Sequence, residues 1–237
     1  MNKSKLFKVL IVSVVLIAGA TELAYAAGPA NPPWSECYWF TYPVGPGGIF
    51  EINHYLHYVG YDARVYGNLT ADWVRRTMYK DAVFAIVAEG YPGRVMCKNG
   101  MTQISAKIVP SEDFNYSLEA AFANTTDKLK WCRIIYWGSC ESARYSSKYG
   151  DLNDYSVTLG ADASVGFKGI IDNDCATTFE RRVFDLLTYN GGYYLYSALW
   201  HAKEYTKKRH RKYGGVDTYE IRGNYTEKIL PVGYGDF

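Results

Sequence analysis

Two apolar segments end abruptly in reactive or charged side chains, and they constrain the chain more than any other feature. The first is Asp81-Ala-Val-Phe-Ala-Ile-Val-Ala-Glu89-Gly90. The second is Arg133-Ile-Ile-Tyr-Trp-Gly-Ser-Cys140-Glu-Ser-Ala143. Each is short, rich in β-branched and aromatic residues, and bounded by small or polar residues, the pattern of a strand buried on both faces. Strands of that kind belong to parallel sheets, where ligands and chemistry collect beyond the carboxyl ends. Cys140 therefore occupies the position of a nucleophile, and Glu89 that of its partner.

The rest of the chain supplies the helices such a sheet needs. Cys37 to Tyr42 reads as a strand, Ile49 to Tyr58 as a helix and Asp62 to Tyr66 as a strand. Thr70 is an N-cap for a helix over 71–79, with Trp73, Val74, Thr77 and Met78 on its inner face. Val95 to Ile108 reads as a hairpin or excursion, and Glu119 to Lys128 as part of a helix. Ser147 to Gly160 is expected to be largely helical, and Ala163 to Ile170 is an apolar strand. Thr177 to Tyr189 is amphipathic, a last helix runs over about 194–208, and 218–232 offers an edge strand. Alternating strands and helices predict an α/β fold: a mostly parallel sheet of about six strands with helices on both faces. Trp131, Trp137 and Trp200 are read as core.

With 237 residues, 48% of them hydrophobic, the chain can bury a full core, and no linker divides it. A net charge of +2 offers no field for a polyanion. The basic run Lys207-Lys-Arg-His-Arg-Lys212 closes a helix, where positive charge is favourable without a ligand, so no nucleic-acid partner is expected. Lys3 and Lys5 precede an apolar run, Leu6 to Ala20, and Ala24-Tyr25-Ala26 is a small-x-small cleavage site. Residues 1–26 thus read as a signal peptide, and residues 27–237 as one exported domain. The alternative is an uncleaved N-terminal anchor with the domain facing outside. No second stretch is long enough to span a membrane.

Export changes the reading of the five cysteines, Cys37, Cys97, Cys132, Cys140 and Cys175. An oxidising compartment favours disulfides, and an odd count leaves one thiol over, assigned to Cys140. Their spacings fit no zinc pattern, and His54 and His57, spaced i, i+3, lack a third ligand; no metal or cofactor is expected. Gly45-Pro-Gly-Gly48 lacks the spacing of a phosphate loop. Sequons for N-glycosylation begin at Asn68, Asn115, Asn124 and Asn224. The 23 tyrosines have no functional reading.

The segments Asp81–Arg94, Arg133–Ala143, Leu159–Lys168, Asp172–Asp174 and Ala198–Ala202 together resemble the caspase-like cysteine peptidase superfamily, most closely its CHAT-type members. The resemblance covers roughly residues 70–205 in the right order. It implies a three-layer caspase-like sandwich, with Cys140 as nucleophile and the amides of Gly90 and Cys140 as an oxyanion hole. Asp172 and Asp174 fall where arginine- or lysine-selective relatives place an acidic substrate pocket. The alternative for this pair, and for Asp174 above all, is a helix N-cap. The departure is at Glu89, where the family has its catalytic histidine. None of His54, His57, His201 and His210 falls in a matching position. A carboxylate disfavours the thiolate that an imidazolium would favour. The expectation is therefore a secreted peptidase homologue with an impaired dyad that acts by binding a protein or peptide ligand. One alternative is an active peptidase with a base recruited from elsewhere, for instance His54 or His57. The other is a disulfide-stabilised extracellular interaction domain.

Overall fold

A computed structural model of the chain describes residues 34–39, 47–123, 129–189, 192–210 and 214–230. The expected signal peptide, its cleavage site and most of the glycine-rich turn lie outside the described residues. So do Asn124 and the later part of the helix expected over 119–128. Among the described residues no helix is long and apolar enough to cross a membrane.

The fold is α/β, built on a six-stranded sheet in the order β10-β9-β8-β3-β1-β2. Its strands are β1 (Trp34–Trp39), β2 (Asp62–Gly67), β3 (Asp81–Val87), β8 (Ile134–Gly138), β9 (Ala163–Phe167) and β10 (Tyr219–Gly223). All neighbours are parallel except β10, which closes one edge antiparallel to β9. Both central strands, β3 and β8, are buried along their whole length, as continuous apolar runs require.

Period-2 alternation sorts their side chains into two cores. Val83, Ala85, Val87, Ile134 and Tyr136 join one cluster, while Phe84, Ile86, Ile135 and Trp137 join the other. The first is covered by α1 (Ile49–Tyr58), α5 (Asn173–Thr188) and α6 (Leu195–Arg209). The second is covered by α2 (Ala71–Thr77), α3 (Leu118–Phe122) and α4 (Leu152–Thr158). A second, four-stranded sheet, β4 (Gly90–Tyr91), β5 (Arg94–Cys97), β6 (Thr102–Ser105) and β7 (Asn115–Ser117), contributes Val95, Cys97 and Ile104 to that same core.

Local signals account for most boundaries. Thr70 caps α2 by accepting from Trp73 N, and Asp172 caps α5 by accepting from Asp174 N and Cys175 N. Several expectations need correction. Trp73 is 52% exposed, so the inner face of α2 is Ala71 and Val74, with Met78 in the turn that follows. The helix expected over 147–160 is confined to 152–158, because Asp151 accepts from Asn153 N and Asp154 N and starts it there. Trp137 is core, but Trp200 is 50% exposed on α6 and Trp131 is only half-buried. No disulfide joins any of the cysteines. The expectation that some of Cys37, Cys97, Cys132 and Cys175 pair is not met. Cys37 and Cys175 pack in one core, Cys97 and Cys132 in the other, each as a buried small hydrophobe, three on separate elements and Cys132 in the segment leading into β8.

Candidate active site

The site forms where β3 and β8 run out side by side. Val87 and Gly138 are the last registered pair. Beyond them Ser139 donates its hydroxyl to Ala88 O at 2.7 Å, lashing the two strand ends together. The chain then turns sharply. Ser139 N donates back to Trp137 O at 2.8 Å, and Glu141 adopts left-handed backbone, φ +53. Ser142 Oγ lies within hydrogen-bonding reach of Trp137 O and Ser139 O and accepts from Phe167 N at 3.2 Å. Ala143 N donates to Phe167 O at 3.0 Å. The turn carrying Cys140 is thus held by β3 on one side and β9 on the other.

Gly90 abuts this turn. A Cβ there would overlap the Cys140 carbonyl and stand 2.6 Å from Ser139 Oγ, so no side chain fits. Met96 N donates to Glu89 O at 2.9 Å, which makes 89 and 96 a hydrogen-bonded pair of the antiparallel hairpin. The alternation of such ladders then turns the N–H of Gly90 away from β5. The hairpin is fastened further along. Gly93 N donates to Glu141 O at 3.3 Å. Arg94 donates to Tyr149 Oη at 2.8 Å and to Gln103 Oε1 at 2.9 Å, with its guanidinium 4.3 Å from the Tyr149 ring centroid. Glu112 completes the network, accepting from Gln103, Tyr149 and Lys148.

The sulfur of Cys140 is half-buried and accepts from Ile171 N at 3.3 Å. Burial above all raises its thiol pKa, the Ile171 N–H opposes this, and the charges of Glu89 and Glu141 raise it again. The expected effect of Glu89 is therefore present but secondary to desolvation. Glu89 is itself half-buried, which lifts its carboxyl above the usual range. Glu141 is paired with Arg144.

Asp172 follows directly on Ile171, whose N–H meets the sulfur, and Asp172 and Asp174 stand at the start of α5, where their charges act on Cys175. It is Asp172, not Asp174, that caps α5, with Oδ1 at 3.1 Å from both Asp174 N and Cys175 N. Both aspartates are exposed. The two candidate histidines lie elsewhere. Gly47 and Gly48, just before α1, meet Val87 and Glu180 at the carboxyl rim, and α1 runs back from there toward the amino end of β2. At about 1.5 Å per residue, His54 and His57 lie roughly 8 and 12 Å down the helix from Ile49. Both are exposed, while Ile49, Ile52 and Leu56 face the sheet. Neither is placed as a base for Cys140. Among the described residues no cluster of three His, Cys, Asp or Glu is positioned to hold a metal.

Two participants had escaped the sequence. Ile171 contributes through its backbone from 31 residues away, and a backbone contact leaves no sequence signal. Glu180 is 1% exposed on α5, accepting from Gly48 N at 3.1 Å behind the end of β8. Its signal was available: it shares the inner face of an amphipathic helix with Val183, Phe184 and Leu187.

No family model and no curated sequence matches this chain. Solved structures do. The Arg-specific cysteine proteinase gingipain R superposes with a TM-score of 0.60 at 10% identity, over 82% of this chain and 47% of that one. A complex of the Porphyromonas gingivalis RgpB pro- and mature domains gives 0.49 at 10% identity, over 84% and 49%. Caspase-1 from Spodoptera frugiperda gives 0.46 at 13% identity, over 85% and 96%. The chain spans about half the length of the gingipain structures. The fold is caspase-like.

Proposed function

We propose that this chain is a secreted homologue of the caspase-like cysteine peptidases, CHAT-like in type, in which residues 27–237 form one domain. Glu89 stands at the place of the dyad histidine, and the domain acts by binding a peptide segment rather than cleaving it efficiently. The observation that carries this reading is the surroundings of Cys140 Sγ. A backbone amide and two carboxylates influence it, and no imidazole does. A sulfur so placed stays protonated near neutral pH, and the thiol is a poor nucleophile.

The remaining parts of a peptide site support binding. The amides of Gly90, turned away from β5, and of Cys140 are the candidate donors to a carbonyl oxygen. The exposed Asp172 and Asp174, at the start of the helix that follows Ile171, would favour a cationic side chain; the gingipain is described as Arg-specific. One observation favours the active-peptidase reading: burial raises Glu89, so a protonated fraction can donate to a leaving amine. It does not supply the thiolate. The disulfide-stabilised reading loses its support with the absence of any bridge.

The test is turnover and binding of a peptide library, rich in Arg and Lys, by the wild type and Cys140→Ala. Binding without appreciable cleavage at neutral pH is expected from both proteins. Cleavage by the wild type that vanishes in Cys140→Ala would establish the active peptidase instead.

A further inference from the structure

The four sequons have unequal fates once the chain is folded. Asn115 lies in β7, where its Oδ1 accepts from Ser105 Oγ at 2.9 Å and its Nδ2 is buried, leaving no room for a sugar on that nitrogen. Asn68, half-buried between β2 and α2, has left-handed backbone, φ +56. Asn224 is different. It follows β10 directly and is exposed. Its Oδ1 accepts from Thr226 N at 3.1 Å and from Thr226 Oγ1 at 2.7 Å, an Asx turn that sets the hydroxyl of the sequon on the amide it serves. Its Nδ2 donates to Glu227 Oε2 at 2.8 Å. An amide nitrogen carries two hydrogens. Replacing one by a sugar carbon leaves the other to keep the bond to Glu227.

A second observation concerns the surface around this turn. Tyr194, Tyr196 and Tyr225 are 47%, 47% and 62% exposed. Tyr196 lies edge-to-face with Tyr225 and nearly parallel to Tyr194, with centroids 6.2 Å apart in both cases. The patch and the sequon form one unit, since Tyr196 N donates to Tyr225 O at 3.0 Å and Leu195 N to Glu227 O at 2.9 Å. Aromatic faces edged by hydroxyls suit a ring with an apolar CH face and a polar rim, as a pyranose has.

We infer that Asn224 is a modification site, the acceptor of an N-linked oligosaccharide whose first sugar lies over Tyr225 and Tyr196. The donor is a lipid-linked oligosaccharide diphosphate. Asn224 Nδ2 bonds to C1 of its first sugar, and the C1–O bond breaks. The lipid diphosphate leaves with the electron pair, and the amide proton passes to a base of the transferase. Asn224 N donates to Asp162 O at 2.7 Å, at the amino end of β9, so the glycan emerges on the rim opposite Cys140. The inference rests on export and is independent of the chemistry of Cys140.

The experiment is secretion of the chain through the endoplasmic reticulum of a eukaryotic host, with peptide mapping before and after enzymatic deglycosylation in heavy-oxygen water. The wild type is expected to carry a glycan at Asn224. Asn224→Gln and Thr226→Ala should each lose the mass of one glycan, and Thr226→Ser should keep it. Deglycosylation should speed nitration of Tyr225. A secreted wild type with Asn224 unmodified, or glycans confined to Asn68 or Asn124, overturns the assignment. An unchanged nitration rate overturns the stacking on tyrosine.

Discussion

Glu89 and Cys140 each lie two residues beyond a registered pair, Val87 and Gly138, on adjacent parallel strands. The two side chains whose chemistry conflicts are therefore delivered to the same rim by the same sheet geometry. The charge of Glu89 reaches the sulfur, but burial weighs more on the thiol.

Glu89→Gln should shift the pH profile of Cys140 alkylation to lower pH, and only modestly, because it removes a like charge and leaves the desolvation. Glu89→His should shift it further, since an imidazolium adds the opposite charge. Iodoacetamide rates from about pH 6 to 10 check both. An unmoved profile in Glu89→His would mean that position 89 does not face the sulfur.

Gly90→Ala should disturb the Cys140 turn directly. The added methyl overlaps the Cys140 carbonyl and crowds Ser139 Oγ at 2.6 Å. A loss of about 1–3 kcal/mol is expected from overpacking, read as the urea midpoint. It should come with a changed Cys140 alkylation rate, because the hairpin must move away from the turn. Stability equal to wild type would contradict the close approach.

Thiol counting addresses the cysteines. All five should react with an alkylating agent after unfolding without reductant, as no disulfide joins them. In the native protein Cys140 should react first. Burial pushes the thiols of Cys37, Cys97 and Cys132 up, and burial together with Asp172 does the same for Cys175. A count below five on the unfolded chain would show pairing.

Glu180→Gln should stabilise the protein at high pH. Burial pushes the carboxyl up to about 8, against the opposing Gly48 N–H and Arg181, while Glu51 adds to it. The unfolded chain ionises near the ordinary value of about 4.3, so the folded state holds a proton that the unfolded state releases. The cost of keeping Glu180 is thus absent at low pH, grows from about pH 4 upward and is complete near 8. Glutamine preserves an acceptor for Gly48 N and carries no such cost. The gap between variant and wild type should widen over that window to the order of a few kcal/mol and then level off. Thermal midpoints at about pH 4, 6 and 9 test it, and a gap independent of pH would refute it.

Much of this architecture was legible because it is written in local patterns. The apolar runs ending at Glu89 and Cys140, the cap at Thr70 and the helix over 49–58 follow from strand burial, side-chain hydrogen bonding and helical periodicity. The sequence also carries, in the order of its strands and helices, the parallel sheet that makes Glu89 and Cys140 neighbours. What it does not carry is anything that depends on which distant segments meet. The Ile171 amide on Cys140 Sγ, the lack of space beside Gly90 and the Glu180 carboxyl behind Gly138 arise from chain segments 31 or more residues apart. The left-handed backbone at Glu141 is imposed by the anchors of its turn on β3 and β9, against the preference of its side chain. Tertiary structure alone also decided that the cysteines separate into two cores and that His54 and His57 face solvent down α1. Packing, not spacing along the chain, determines which side chains share a site and how strongly water is excluded from it.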